Sequence, residues 1–129
     1  MANDSRLRDF RPDALVAVPL HPRRQRARGY NQAAVLAALL GRHAGLPFFA
    51  HAVRRVRDTP TQTHLTREER IENLRGAFLV PPRKQVRIAG RRLLLLDDVF
   101  TTGSTVNACA RALRDAGAAE VRVLAVARG

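Results

Sequence analysis

The chain has 129 residues, 46% of them hydrophobic, which allows one domain with a modest core. Its 23 basic residues outnumber 11 acidic ones, for a formal charge of +12, and so point to polyanions as partners: nucleic acid, or a substrate carrying several phosphates. The single cysteine, Cys109, excludes an internal disulfide and a cysteine-based zinc site, no apolar run reaches the about 18 residues of a membrane span, and the polar N-terminus carries no secretory signal, so the sequence predicts a cytoplasmic protein.

Residues 1–13 are polar and charged and read as a loosely held arm ahead of one domain over 14–129. Residues 15–18 form a short apolar run stopped by Pro19, a buried strand. A basic loop with Arg23, Arg24, Arg26 and Arg28 and no acid follows, closed by Gly29. Asn31 can cap a helix over 32–43, with apolar positions 35, 36, 39 and 40 and glycines 41 and 45 near its end. Residues 48–56 read as an edge-like strand. Residues 58–74 are polar, with Thr59-Pro60-Thr61-Gln62 as loop and a short helical turn over 67–74. A long polar excursion inside a compact domain suits a lid. Residues 77–80 form a strand ended by Pro81-Pro82, and residues 91–96 a second, central one. Residues 106–116 have a helical period with apolar positions 106, 109, 110 and 113, Gly117 stands where a left-handed cap is needed, and residues 121–127 form the last strand. Cys109 falls on the apolar face and reads as a packing residue; His21, His43, His51 and His64 have no metal-ligand spacing. Strands alternating with helices predict parallel βαβ units, an α/β fold with a mostly parallel sheet flanked by helices.

The most informative stretch is Leu93-Leu94-Leu95-Leu96-Asp97-Asp98-Val99-Phe100-Thr101-Thr102-Gly103-Ser104-Thr105. Four leucines make a buried strand with two adjacent carboxylates at its C-terminal end. Ligands of open parallel sheets bind just outside that end. A loop of hydroxyls and one glycine leading into a helix presents backbone N–H groups and a partial positive charge to an anion. Carboxylates beside such a cradle suit a phosphorylated sugar. The run is neither a Walker A loop, since no Lys follows Gly103, nor G-x-G-x-x-G. The arginine loop after the first strand opens at the same end of the sheet, where guanidinium forks match phosphate oxygens.

This run resembles the ribose-phosphate signature of type I phosphoribosyltransferases: four apolar residues, two acids, an apolar pair, Thr-Thr-Gly, a small residue and Thr. Further patterns narrow the resemblance: Pro19-Leu20-His21-Pro22, Arg28-Gly29-Tyr30-Asn31-Gln32, and the series Arg55, Arg57, Thr59, Gln62, Leu65, Arg70, Asn73, Ala77 and Phe78. Together these resemble the competence-protein ComF family of phosphoribosyltransferase-like proteins, over about residues 16–128. Members usually carry an N-terminal cysteine-rich zinc module, and this sequence resembles their C-terminal half.

The resemblance implies a type I phosphoribosyltransferase-like fold and a site for phosphoribosyl pyrophosphate with Mg²⁺. Asp97 and Asp98, the catalytic pair, would meet the ribose hydroxyls, and either could touch Mg²⁺, which would otherwise be held through the ligand. Thr101, Thr102, Gly103, Ser104 and Thr105 would wrap the 5′-phosphate. Arg23, Arg28, Gly29 and Asn31 would face the pyrophosphate. Arg57, Thr59, Gln62, Arg70 and Asn73 would belong to the lid. The implied reaction is displacement of pyrophosphate at C1′ by a nitrogen nucleophile. The rival expectation is a module of DNA uptake without turnover, binding single-stranded DNA or phosphoribosyl pyrophosphate; a phosphoribosyl-pyrophosphate sensor is a weaker third. An incompletely covered sheet face would favour a homodimer.

Overall fold

A computed structural model describes residues 10–19, 31–56, 66, 68–69, 76–100 and 104–128, with the backbone alone for 98–100, 104 and 126–128. The order is β1 (Ala14–Ala17), α1 (Gln32–Ala44), β2 (Arg54–Arg55), β3 (Phe78–Leu79), α2 (Pro82–Ile88), β4 (Arg92–Phe100), α3 (Ser104–Asp115) and β5 (Glu120–Arg128).

β1, β4 and β5 form a parallel sheet in that order, so the four-leucine strand is the central one. Leu93 to Leu96 pair with Ala14 to Ala17 on one side and with Val121 to Leu124 on the other. Side chains alternate along each strand and thereby divide the core into two. Ala14, Val16, Leu93 and Leu95 face α3, whose Val106, Cys109, Ala110 and Leu113 are all buried, and meet Ala77, Phe78 and Ile88 there. Leu15, Ala17, Leu94 and Leu96 face α1 and Phe10. Both faces of the central strand are therefore dry, as an unbroken leucine run requires.

Several elements differ from the sequence reading. The helix over 32–43 forms and ends at Ala44, but it buries Ala33, Ala37 and Gly41, while Val35 and Leu39 are 45% and 55% exposed. The small residues face inward because the helix lies close to its neighbours. A Cβ on Gly41 would stand 2.7 Å from the Leu46 carbonyl oxygen and 3.3 Å from Leu15 Cδ1. The strand expected over 48–56 is broken. Phe48 bridges Leu15 in parallel, a turn with His51 at φ 59° follows, and β2 starts at Arg54. β2 pairs antiparallel with β3 outside the main sheet, Arg55 opposite Phe78. Helix α2 was absent from the sequence reading. Its seven residues are too short for a period, and its start is set by proline at N1, where a missing N–H costs nothing. Phe10, in the stretch read as a loose arm, is 4% exposed, with the guanidinium carbons of Arg92 and Arg122 at 4.9 and 5.3 Å from its ring centre. Asp13 and Arg92 fix the same end reciprocally: Asp13 N–H donates to Arg92 O at 2.7 Å, and Arg92 N–H donates to Asp13 Oδ2 at 2.8 Å.

The predicted cap of α3 holds. Gly117 has φ 106°, and its N–H and that of Ala118 donate to Arg114 O and Leu113 O, the paired bonds of a Schellman motif. Among the described residues no helix is long and apolar enough to cross a membrane.

Candidate functional site

The site is built at the carboxyl end of β4. The β1 ladder stops at Ala17 and Leu96, where Val18 N–H donates to Leu96 O at 2.9 Å. Pairing with β5 continues from Asp97, opposite Ala125, to Phe100, opposite Arg128. Asp97 is thus held by one neighbouring strand just beyond the end of the other. Following Leu93 and Leu95 at intervals of two, it belongs to the α3 side of the sheet and is half-buried. Asp98 continues the strand. Three residues after β4, the chain enters α3 at Ser104, with Thr105 half-buried in the first turn. Strand, two acids, short connection and helix N-terminus therefore stand in the order that the leucine motif predicts. Thr101, Thr102 and Gly103 lie outside the described residues, as do Arg23, Arg28 and Gly29 of the basic loop and Arg57, Thr59, Gln62, Arg70 and Asn73 of the polar excursion.

Asn31 closes the other loop at this end. Its Oδ1 accepts from Ala34 N–H at 3.3 Å, capping α1, and its Nδ2 donates to Val18 O at 3.2 Å. One side chain thereby ties the N-terminus of α1 to the end of β1 and sets the span that residues 20–30 must bridge. Of the polar excursion, Thr66 and Glu69 form a reciprocal capping box. Thr66 N–H donates to Glu69 Oε1 at 2.9 Å, and Glu69 N–H donates to Thr66 Oγ1 at 3.1 Å. The first of these bonds, made to the charged form, holds the Glu69 carboxyl below its ordinary range.

Two buried groups on the α3 side of the sheet were not singled out as site residues. Cys109 is fully buried on α3, and burial pushes its thiol up; the charge of Asp97 adds to the rise and that of Arg55 opposes it. Arg55 is 8% exposed and its guanidinium carbon lies 5.5 Å from the centre of the Phe78 ring. The sequence signal for Arg55 was its place in the Arg-x-Arg pair before Thr59. No periodicity predicts an inward arginine, because a strand of two residues has none.

Residues 27–129 match the family model described as phosphoribosyl transferase domain. The chain belongs to the phosphoribosyl transferase domain family. Competence protein F of Haemophilus influenzae is 42% identical over 117 residues, 91% of this chain and 51% of that protein. DNA utilization protein YhgH of Escherichia coli K12 is 41% identical over 117 residues, 91% of this chain and 50% of that protein. Competence protein ComFC of Streptococcus pneumoniae is 29% identical over 122 residues, 95% and 51%. The chain thus spans about half the length of the curated relatives it matches. Among solved structures, glutamine phosphoribosylpyrophosphate amidotransferase from B. subtilis, complexed with ADP and GMP, superposes with a TM-score of 0.58 at 21% identity, covering 91% of this chain and 23% of that one. The fold is that of the type I phosphoribosyltransferases, with β1-β4-β5 as the parallel sheet.

Proposed function

We propose that this domain binds phosphoribosyl pyrophosphate with Mg²⁺ at the carboxyl end of β4 and transfers the phosphoribosyl group to a nitrogen nucleophile. The observation that carries the reading is the pair Asp97-Asp98 near the carboxyl end of the central parallel strand, which is joined to a helix by three residues, in a chain of this family. Asp97 and Asp98 accept hydrogen bonds from the ribose hydroxyls and fix the sugar. The N–H groups at the start of α3, with Thr101 to Thr105, bind the 5′-phosphate. Arg23, Arg28, Gly29 and Asn31, on the loop that Asn31 ties to β1, face the pyrophosphate. The nucleophile attacks C1′ as the bond to pyrophosphate breaks, and the departing charge is met by the arginines.

Among the described residues no three His, Cys, Asp or Glu side chains converge. Two adjacent carboxylates are hard oxygen donors that fit Mg²⁺ when substrate oxygens fill most of its shell. When bound, the ion neutralises charge on the leaving pyrophosphate. Calorimetric titration with phosphoribosyl pyrophosphate, with and without Mg²⁺, tests the reading. Saturable binding strengthened by Mg²⁺ supports it, and no binding in either condition overturns it.

A second reading, a module of DNA uptake without turnover, is favoured by the names its relatives bear and by charge. Arg83, Lys84, Arg87 and Arg91 are clustered on α2 and the turn after it with no acid among them. Binding of single-stranded DNA with a steep salt dependence, together with no response to phosphoribosyl pyrophosphate, would select it.

A further inference from the structure

Arg55 is the buried charged side chain among the described residues. A guanidinium is kept out of water only where neighbouring groups compensate its lost hydration. If Arg55 merely closed the ribbon over Phe78, an aliphatic side chain would serve as well without that penalty. Its surroundings are particular. Phe78, which it covers, lies in the same core cluster as Cys109, Leu93 and Leu95, and β3 packs on α3. Asp97 is the next member of the Leu93–Leu95 row on that side of the sheet. The charges of Arg55 and Asp97 both reach the buried Cys109 thiol, with opposite sign. The location matters equally. Arg55 is the last residue of β2 and Phe78 the first of β3, directly opposite it in the ribbon, so the pair stands at the open end of both strands.

We propose that Arg55 is a positioning residue for Asp97, a buried cation at the end of β2 that orients the sugar-binding carboxylate. The inference rests on the phosphoribosyl-pyrophosphate reading. Arg55 touches no reacting atom; it acts through Asp97. A ligand whose hydroxyls engage Asp97 then changes the field at Arg55, and a change at Arg55 reaches the ligand through Asp97. Coupling of this kind is reciprocal in binding free energy.

The test compares Arg55→Lys and Arg55→Met, alone and combined with Asp97→Asn. Two quantities are measured: affinity for phosphoribosyl pyrophosphate with Mg²⁺, and the thermal midpoint without ligand, which also reports folding. Arg55→Met should weaken binding about tenfold, mid-range for groups sharing one polar network. Arg55→Lys, keeping the charge, should bind within about threefold of the wild type. In the Asp97→Asn background Arg55→Met should cost no further affinity, and the two substitutions should be non-additive in midpoint. Equal affinity of the Met and Lys variants, or full additivity with Asp97→Asn, overturns the proposal. Should the Met variant not fold, Arg55→Gln takes its place in the same cycle. Should the wild type not bind phosphoribosyl pyrophosphate, the functional reading falls, and the ligand-free cycle decides alone: non-additive midpoints support the Arg55–Asp97 coupling and additive ones overturn it.

Discussion

Asp98→Asn should weaken phosphoribosyl-pyrophosphate binding by about 1.5–3 kcal/mol, the range for hydrogen bonds to a charged acceptor, with the fold intact. Asp97→Asn should weaken it similarly and shift the melting midpoint as well, because Asp97 is half-buried at the end of the Leu93–Leu95 row on the α3 side of the sheet. Titration calorimetry with matched melting curves checks both; wild-type affinity in both variants would remove the ribose assignment. Cys109 gives a pH signature. Below about pH 8.5, the ordinary thiol range, the thiol is neutral folded and unfolded and contributes no pH dependence. Above it the unfolded thiol ionises while the folded one, raised by burial, stays protonated. The folded state then holds more protons, so this contribution to stability falls as pH rises. Denaturant titrations between about pH 8 and 10 should show the decline, and Cys109→Ala should flatten that part of it.

At the scale of elements, Asn31 at the N-cap of α1 and Gly41 within its last turn fail in different ways. Asn31→Ala removes the cap and the bond to Val18 O together. Loss of the cap alone costs about 1 kcal/mol. The released loop end should also weaken pyrophosphate binding beyond what the stability loss explains, a difference read by comparing inorganic pyrophosphate affinity with denaturant midpoint. Gly41→Ala gains about 1 kcal/mol of helix propensity but overpacks by about 1–3 kcal/mol. The clash should win. Its target is a backbone oxygen at 2.7 Å, and that segment is pinned by the Leu46 N–H bond to Gly41 O at 2.8 Å. A higher melting temperature in Gly41→Ala would contradict this.

For the whole molecule, a transferase must keep water from an electron-poor ribosyl centre, whereas a binding module need not. The ribbon β2–β3, whose strands flank the polar excursion in sequence, packs through Phe78 on the α3 side of the sheet. Hydrogen exchange across 58–74 should slow when phosphoribosyl pyrophosphate and Mg²⁺ bind. Unchanged exchange despite demonstrated binding would favour the module of DNA uptake.

The sequence by itself determined the central strand, its two acids, the helix after them and that helix's buried face. Each is a local pattern: four leucines can hide only between two covered faces, positions 106, 109, 110 and 113 share one side of a helix, and Gly117 alone supplies the left-handed turn. The resemblance carried by Asp97-Asp98 and Thr101 to Thr105 brought the family with it. Tertiary structure decided what depends on distance between elements. It set how close α1 lies to the sheet, and so which face is inward; Val35 and Leu39 lost to Ala33, Ala37 and Gly41 because only small residues fit beneath a carbonyl at contact distance. It broke the 48–56 strand because Phe48 found Leu15 as a partner and Arg55 found Phe78. It buried Arg55 next to the site, since an arginine is taken out of water only by neighbours that come from elsewhere in the chain.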